Sequence, residues 1–222
     1  GQQTLVERPG AEPGSWLPVT QRSRWDTLGI FGLHDEGRRA WALSNRGRDK
    51  LALVRLDMTT GAEEVLFESP DVDLDDVSLS RRTRAPLAVY FMPGYPERKV
   101  FDAALAARLS ALAGDRPADV RVTSADKTDT VLTVAVSTDR GTRSYLLRPG
   151  REPQFLGENR LSLIAKDLAP TEPIAYTARD GLAIHGYLTL PVGVQQARRL
   201  PMVLLVHGGP WARDRWGDGA TS

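Results

Sequence analysis

The chain has 222 residues, 41% of them hydrophobic, and 29 Lys and Arg against 28 Asp and Glu, a formal net charge of +1. That composition suits a folded chain with a sizeable core, and its interspersed charges form no basic footprint for nucleic acid or an anionic membrane surface. The absence of cysteine excludes a disulfide framework, a thiol nucleophile and a thiolate metal site, and no apolar run approaches the roughly 20 residues of a membrane span.

The polar start Gly1-Gln2-Gln3-Thr4 does not have the pattern of a signal peptide, and the composition leaves the compartment open between cytoplasm, periplasm and export. From about Trp25 to Leu163 short runs of Val, Leu, Tyr and Phe are punctuated by Gly and Pro, which predicts strand-rich meanders. The clearest unit is Ala40–Ser44, a turn through Asn45-Arg46-Gly47-Arg48-Asp49, then Leu51–Asp57, Thr59-Thr60-Gly61 and Glu64–Phe67. Leu87–Phe91 follows in the same phase, and Thr133–Ser137, Asp139-Arg140-Gly141 and Ser144–Arg148 form a further copy. A repeat of about 45 residues carrying about four strands is the signature of propeller blades, so residues 1–168 are expected to form a partial β-propeller of three to four blades.

Four features within this region have bland explanations. Phe101, Leu105, Leu109 and Leu112 recur at helical spacing, with Gly114 as a stop, predicting one inserted amphipathic helix near residues 100–113. Glu63-Glu64 is a paired carboxylate of the kind that grips a substrate amine, but at the start of a blade strand one carboxylate simply faces water. Asp71, Asp73, Asp75 and Asp76 alternate with Val72, Leu74 and Val77, the pattern of a polar-out strand edge, without the glycine and terminal glutamate of a calcium loop. Arg81-Arg82-Thr83-Arg84 reads as solvated loop charge.

Two prolines in Leu168-Ala169-Pro170-Thr171-Glu172-Pro173 favour an extended connector with no ladder pairing and place a domain boundary here. Beyond it, Ile174–Ala178 and Leu182–Leu190 flank Arg179-Asp180-Gly181, a hairpin signal. Pro201-Met202-Val203-Leu204-Leu205-Val206 is then a continuous apolar run, as expected of a strand buried on both faces of an α/β sheet. Lacking sheet neighbours of its own, this piece is not expected to form an independent domain.

The chemistry gathers after that run, at His207-Gly208-Gly209-Pro210. Adjacent glycines at a strand end leave backbone N–H groups uncovered, able to receive a developing negative charge, as the loop after the third strand does in α/β-hydrolases. The plain alternative is a strand-ending turn. His207 stands at the strand exit, where a general base does not sit in that fold, so its expected part is to brace the loop by a ring hydrogen bond. The three histidines, His34, His185 and His207, are too scattered for a metal site, and no metal or other cofactor is expected.

Tyr176–Leu182, Gly186–Pro191 and His207-Gly208-Gly209-Pro210-Trp211-Ala212-Arg213-Asp214, in this order, resemble the start of the catalytic domain in prolyl oligopeptidase family enzymes, in particular the bacterial acylaminoacyl-peptidase and dipeptidyl-aminopeptidase-like branch. The resemblance is strong over residues 174–216 and diffuse before them. It implies a propeller stacked on an α/β-hydrolase domain, a Ser, Asp and His triad that cleaves short or acylated peptides, and Gly209 as an oxyanion N–H donor with His207 and Gly208 supporting the loop. The pattern departs in one respect: no Gly-x-Ser-x-Gly occurs in the sequence.

Residues 169–222 are therefore expected to be the first part of the catalytic domain, ahead of the nucleophile, with the rest of that domain and a peptide substrate as partners and no activity alone. A propeller interaction module without catalysis, and an esterase on the same fold, are the alternatives.

Overall fold

Short apolar runs separated by Asn-, Asp- and Gly-rich turns fold here into antiparallel meanders, because each turn returns the chain beside the strand just made. The computed structural model describes residues 3–7, 16–194, 198–209 and 212–217. Their secondary structure is predominantly antiparallel strand. The chain groups into two compact units, one built from residues up to Phe91 together with 98–103 and 126–129, the other from 92–97, 104–125 and 130 onward.

In the first unit, β1 (Gln3–Glu7) and β2 (Leu17–Arg22) form a hairpin ladder. A four-stranded meander follows: β3 (Leu28–His34), β4 (Arg39–Ser44), β5 (Ala52–Asp57) and β6 (Glu63–Phe67), in spatial order β3-β4-β5-β6. Its central strands are buried on both faces, so they read as continuous apolar runs. Ala40 faces Leu56 in the β4–β5 register, and both pack with Val19 and Met58. Leu43 faces Leu53, and these join Leu74, Val77, Val89 and Phe91 of the next sheet. That sheet comprises β7 (Leu74–Leu79), β8 (Pro86–Phe91) and β9 (Glu97–Val100), in order β7-β8-β9. Asp129 staples a loop of this unit by accepting from Ser80 Oγ at 2.5 Å, Arg81 N at 2.8 Å and Arg82 N at 3.2 Å.

The predicted helix is present as α1 (Ala103–Ala113), with Leu105 and Leu109 buried and Gly114 at φ +65°, the left-handed conformation that ends a helix. Phe101 is not part of it: its N–H donates to Leu87 O at 3.0 Å, so the sheet claims that residue before the helix begins. In the second unit, β10 (Asp119–Ala125), β11 (Leu132–Thr138), β12 (Gly141–Leu147) and β13 (Gln154–Glu158) make another four-stranded meander. A short helix, α2 (Arg160–Leu163), is capped by Asn159, whose side chain accepts from Ser162 N.

The repeat seen in the sequence has a structural meaning. Ala42, Ala88 and Ala135 lie in β4, β8 and β11, the second strand of each meander.

The acidic features are accounted for within the first unit. Glu63 has a side chain only 4% exposed, with Arg46 Nε at 3.2 Å and Arg48 Nη1 at 3.0 Å. Ser44 Oγ donates to it at 2.9 Å. Glu64 is solvent-facing and paired with Arg55. Asp73 accepts the N–H of Leu51 at 2.7 Å, tying one meander to the start of the next.

Candidate active site

The segment carrying the candidate residues begins with a hairpin of β14 (Thr171–Thr177) and β15 (Ala183–Thr189), in the register Thr171↔Thr189 to Thr177↔Ala183. Thr171, Glu172 and Pro173 are therefore ladder residues and not the unpaired connector their prolines suggested; a proline is tolerated on a strand of a two-stranded sheet, where one edge is free. Its turn forms for local reasons: Gly181 N donates to Ala178 O at 3.0 Å and Ala178 N to Leu182 O at 2.8 Å, while Asp180 Oδ1 accepts from Leu182 N at 3.1 Å. Contacts to neighbouring segments hold the hairpin within the second unit. Thr171 N donates to Asp139 Oδ2 at 2.8 Å, Tyr187 Oη donates to Gly94 O at 2.8 Å, and Pro173 packs beside Gly94.

Residues 201–206 differ from the strand that their composition predicts. They carry no strand assignment, and Met202 to Val206 are 68–93% exposed. A strand buried in a parallel sheet is held by ladder hydrogen bonds to strands distant in sequence, and among the described residues none pairs with this run. The apolar code for burial is therefore present without its neighbours.

His207, Gly208 and Gly209 follow directly in an exposed turn. The ring Nδ1 of His207 lies 2.8 Å from Gly208 O, so Nδ1–H donates to that carbonyl. Gly209 has φ +140°, a backbone conformation that side chains disfavour. A Cβ at Gly208 would meet no heavy atom within 4 Å. The turn is open on that side. Pro210 and Trp211, part of the predicted motif, lie outside the described residues.

Arg213 and Trp216, which sequence reasoning did not single out for a role, return the chain to the body of the unit. Arg213 Nη2 donates to Met92 O. Trp216 is 6% exposed, its Nε1–H donates to Thr171 O at 2.7 Å, and its ring meets Tyr95 edge-on at 5.6 Å between centroids. A cavity of about 280 Å³ opens beside it, lined by Met92, Asp119, Arg121, Ser137 and Arg215 among others, with Asp119 and Arg121 paired at 2.7 Å.

Among the described residues, no three His, Asp or Glu side chains gather at metal-binding distance. His34 and His185 lie on β3 and β15. What the turn can do chemically is offer backbone N–H groups to an oxygen that is gaining charge.

No family model matches the chain. In sequence it is 32% identical over 224 residues to dipeptidyl aminopeptidase BIII of Pseudoxanthomonas mexicana, an alignment covering 96% of this chain and 32% of that enzyme. The chain spans about a third of the length of the curated relative it matches. In fold it matches a solved prolyl endopeptidase with a TM-score of 0.57 and 9% identity, over 85% of this chain and 27% of the other.

Proposed function

On the premise that the chain belongs with the prolyl oligopeptidase family of peptidases, as its sequence relative and its fold support, we propose that these residues are part of a serine peptidase acting on short or acylated peptides. Residues 1–168 contribute part of a propeller, and residues 169–222 contribute the first part of the catalytic domain. The observation that carries the proposal is 32% identity to a dipeptidyl aminopeptidase over 96% of the chain.

In this proposal Gly209 N–H is one donor to the oxyanion of the tetrahedral intermediate, with the second from the residue after the nucleophile, as in α/β-hydrolases. Gly208 keeps the approach open and His207 braces the turn through its Nδ1–H. The triad residues belong to the rest of the catalytic domain, and this chain alone hydrolyses no peptide.

The test uses the longer protein that contains these residues, assayed on dipeptidyl and aminoacyl anilides and on simple esters, with a serine-directed phosphonate as inhibitor. Anilide hydrolysis that the phosphonate abolishes is expected. Ester turnover without anilide turnover would make it an esterase, and no turnover of either would favour a propeller interaction module. Gly209→Pro removes the N–H and is expected to lower turnover roughly 10²- to 10³-fold; unchanged turnover would remove Gly209 from the site.

A further inference from the structure

We infer that Trp216 and Arg213 are positioning residues for the Gly208–Gly209 turn, fastening the segment that follows it to the Met92–Tyr95 segment and to the start of β14. The inference rests on the proposed role of that turn as the oxyanion loop. All the groups involved belong to the second compact unit.

The contrast in burial comes first. The five residues leading into His207 are exposed, yet Trp216 is 6% exposed. The chain leaves the body of the unit at one side of the glycines and is pinned to it again at the other.

The pin has several independent parts. Trp216 Nε1–H donates to Thr171 O at 2.7 Å, its backbone N lies 3.2 Å from Met92 Sδ, and its ring packs edge-on against Tyr95. Arg213 donates to Met92 O. The seat is itself held: Thr171 N donates to Asp139, and Gly94 O accepts from Tyr187.

Chain length makes this matter for the turn. Arg213 lies four residues after Gly209, and four residues span at most about 14 Å. An anchor so near restricts where the Gly209 N–H can point. Oxyanion donors act by being held in place before the charge develops, and a displacement of about 1 Å is costly.

The test again uses the longer peptidase, with active sites counted by a serine-directed phosphonate and kcat and KM taken per counted site. Trp216→Ala is expected to lower kcat about 10- to 100-fold with KM within about threefold. Trp216→Phe, which keeps a ring and loses the Nε1–H, is expected to fall between it and the parent. Arg213→Ala is expected to cost about tenfold, and Arg213→Lys to recover most of that, since an ammonium also donates to the Met92 carbonyl.

If both alanine variants keep kcat per counted site within twofold while Tm falls, the two residues are structural only and the inference is wrong. A readout independent of turnover accompanies this: trypsin cleavage of the Arg215–Trp216 bond is expected to be about tenfold faster in Arg213→Ala than in the parent, because fastening lowers the open population that a protease attacks. An unchanged cleavage rate overturns the fastening even in a protein without activity. A parent that neither takes the phosphonate nor turns over anilides defeats the proposed function instead.

Discussion

Apolar runs meet opposite fates in two regions of this molecule. Ala40 to Leu43 and Leu53 to Val54 are at most 7% exposed, whereas Met202 to Val206 are 68–93% exposed. The difference lies in where each run finds its partners. β4 is paired on both sides by strands reached through short turns, β3 and β5. The register Ala40↔Leu56, Ala42↔Val54 and Leu43↔Leu53 then buries both faces. A strand of an α/β sheet is different, because its neighbours arrive through long crossovers. Hydrophobicity encodes that a run will be buried; the location of its neighbours decides whether it is.

Hydrogen exchange on this chain offers the largest expected contrast. The amides of Leu53 and Val54 exchange through substantial unfolding and should be protected by at least about 10³-fold, while those of Met202 to Val206 should exchange nearly as in an unfolded peptide. Comparable protection of the two sets would erase the distinction. In the peptidase proposed above, the second set should become protected, which sharpens it.

Truncation is expected to separate the regions next. Leu53 is fully buried in the cluster with Leu43, Leu74, Val77, Val89 and Phe91, so Leu53→Ala should destabilise by about 2–5 kcal/mol. Leu204→Ala, at an exposed site without packing neighbours, should change stability by no more than about 0.5 kcal/mol. Denaturant unfolding of the two variants measures both, and equal effects would show that the 202–206 run is packed in solution.

Local chemistry explains how much was legible from sequence. β4, β5 and β6 lie within a residue or two of their expected places because Asn45–Asp49 and Thr59-Thr60-Gly61 carry their own turn signals. The hairpin of β14 and β15 was legible for the same reason, through Arg179-Asp180-Gly181. β3 and β10 were not delimited: Leu28–His34 and Asp119–Ala125 each carry a register shift, between Ile30 and Gly32 and between Val122 and Ser124, that breaks the period-two alternation within the run.

The candidate turn was legible as a pair of glycines after an apolar run. Its anchor was not, because Trp216 meets Met92, Tyr95 and Thr171 only through tertiary folding. Glu63 was read from its neighbour Glu64 rather than from Arg46 and Arg48, which reach it across a turn of the meander.

That cluster gives a smaller effect than core truncation. Glu63→Gln keeps the shape but places a neutral amide between two guanidinium groups and Ser44, and should cost about 1–3 kcal/mol by equilibrium unfolding. In the proposed peptidase, turnover per counted site should stay unchanged. A selective rise in KM for substrates with a free amino terminus would instead give Glu63 an amine-gripping role.

The smallest expected effect belongs to His34, at the edge of the well-packed meander. Its ring stacks on Trp41 with centroids 4.4 Å apart and planes 12° from parallel. Burial lowers its pKa below the ordinary 6.5; Asp35 opposes the shift, and Arg39 and Arg55 add to it. The sign follows from proton counting. When the folded pKa is the lower one, the unfolded chain binds more protons as pH falls through about 6.5, so the stabilising contribution of neutral His34 is present above that pH and is lost on acidification. Between pH 8 and pH 5.5 the parent should therefore lose slightly more Tm than His34→Phe. An NMR titration of the His34 ring gives the decisive reading. A midpoint below 6.5 agrees with burial as the controlling influence, whereas a midpoint above 6.5 would mean that Asp35 and the indole face of Trp41 together stabilise the imidazolium by more than the cost of its desolvation.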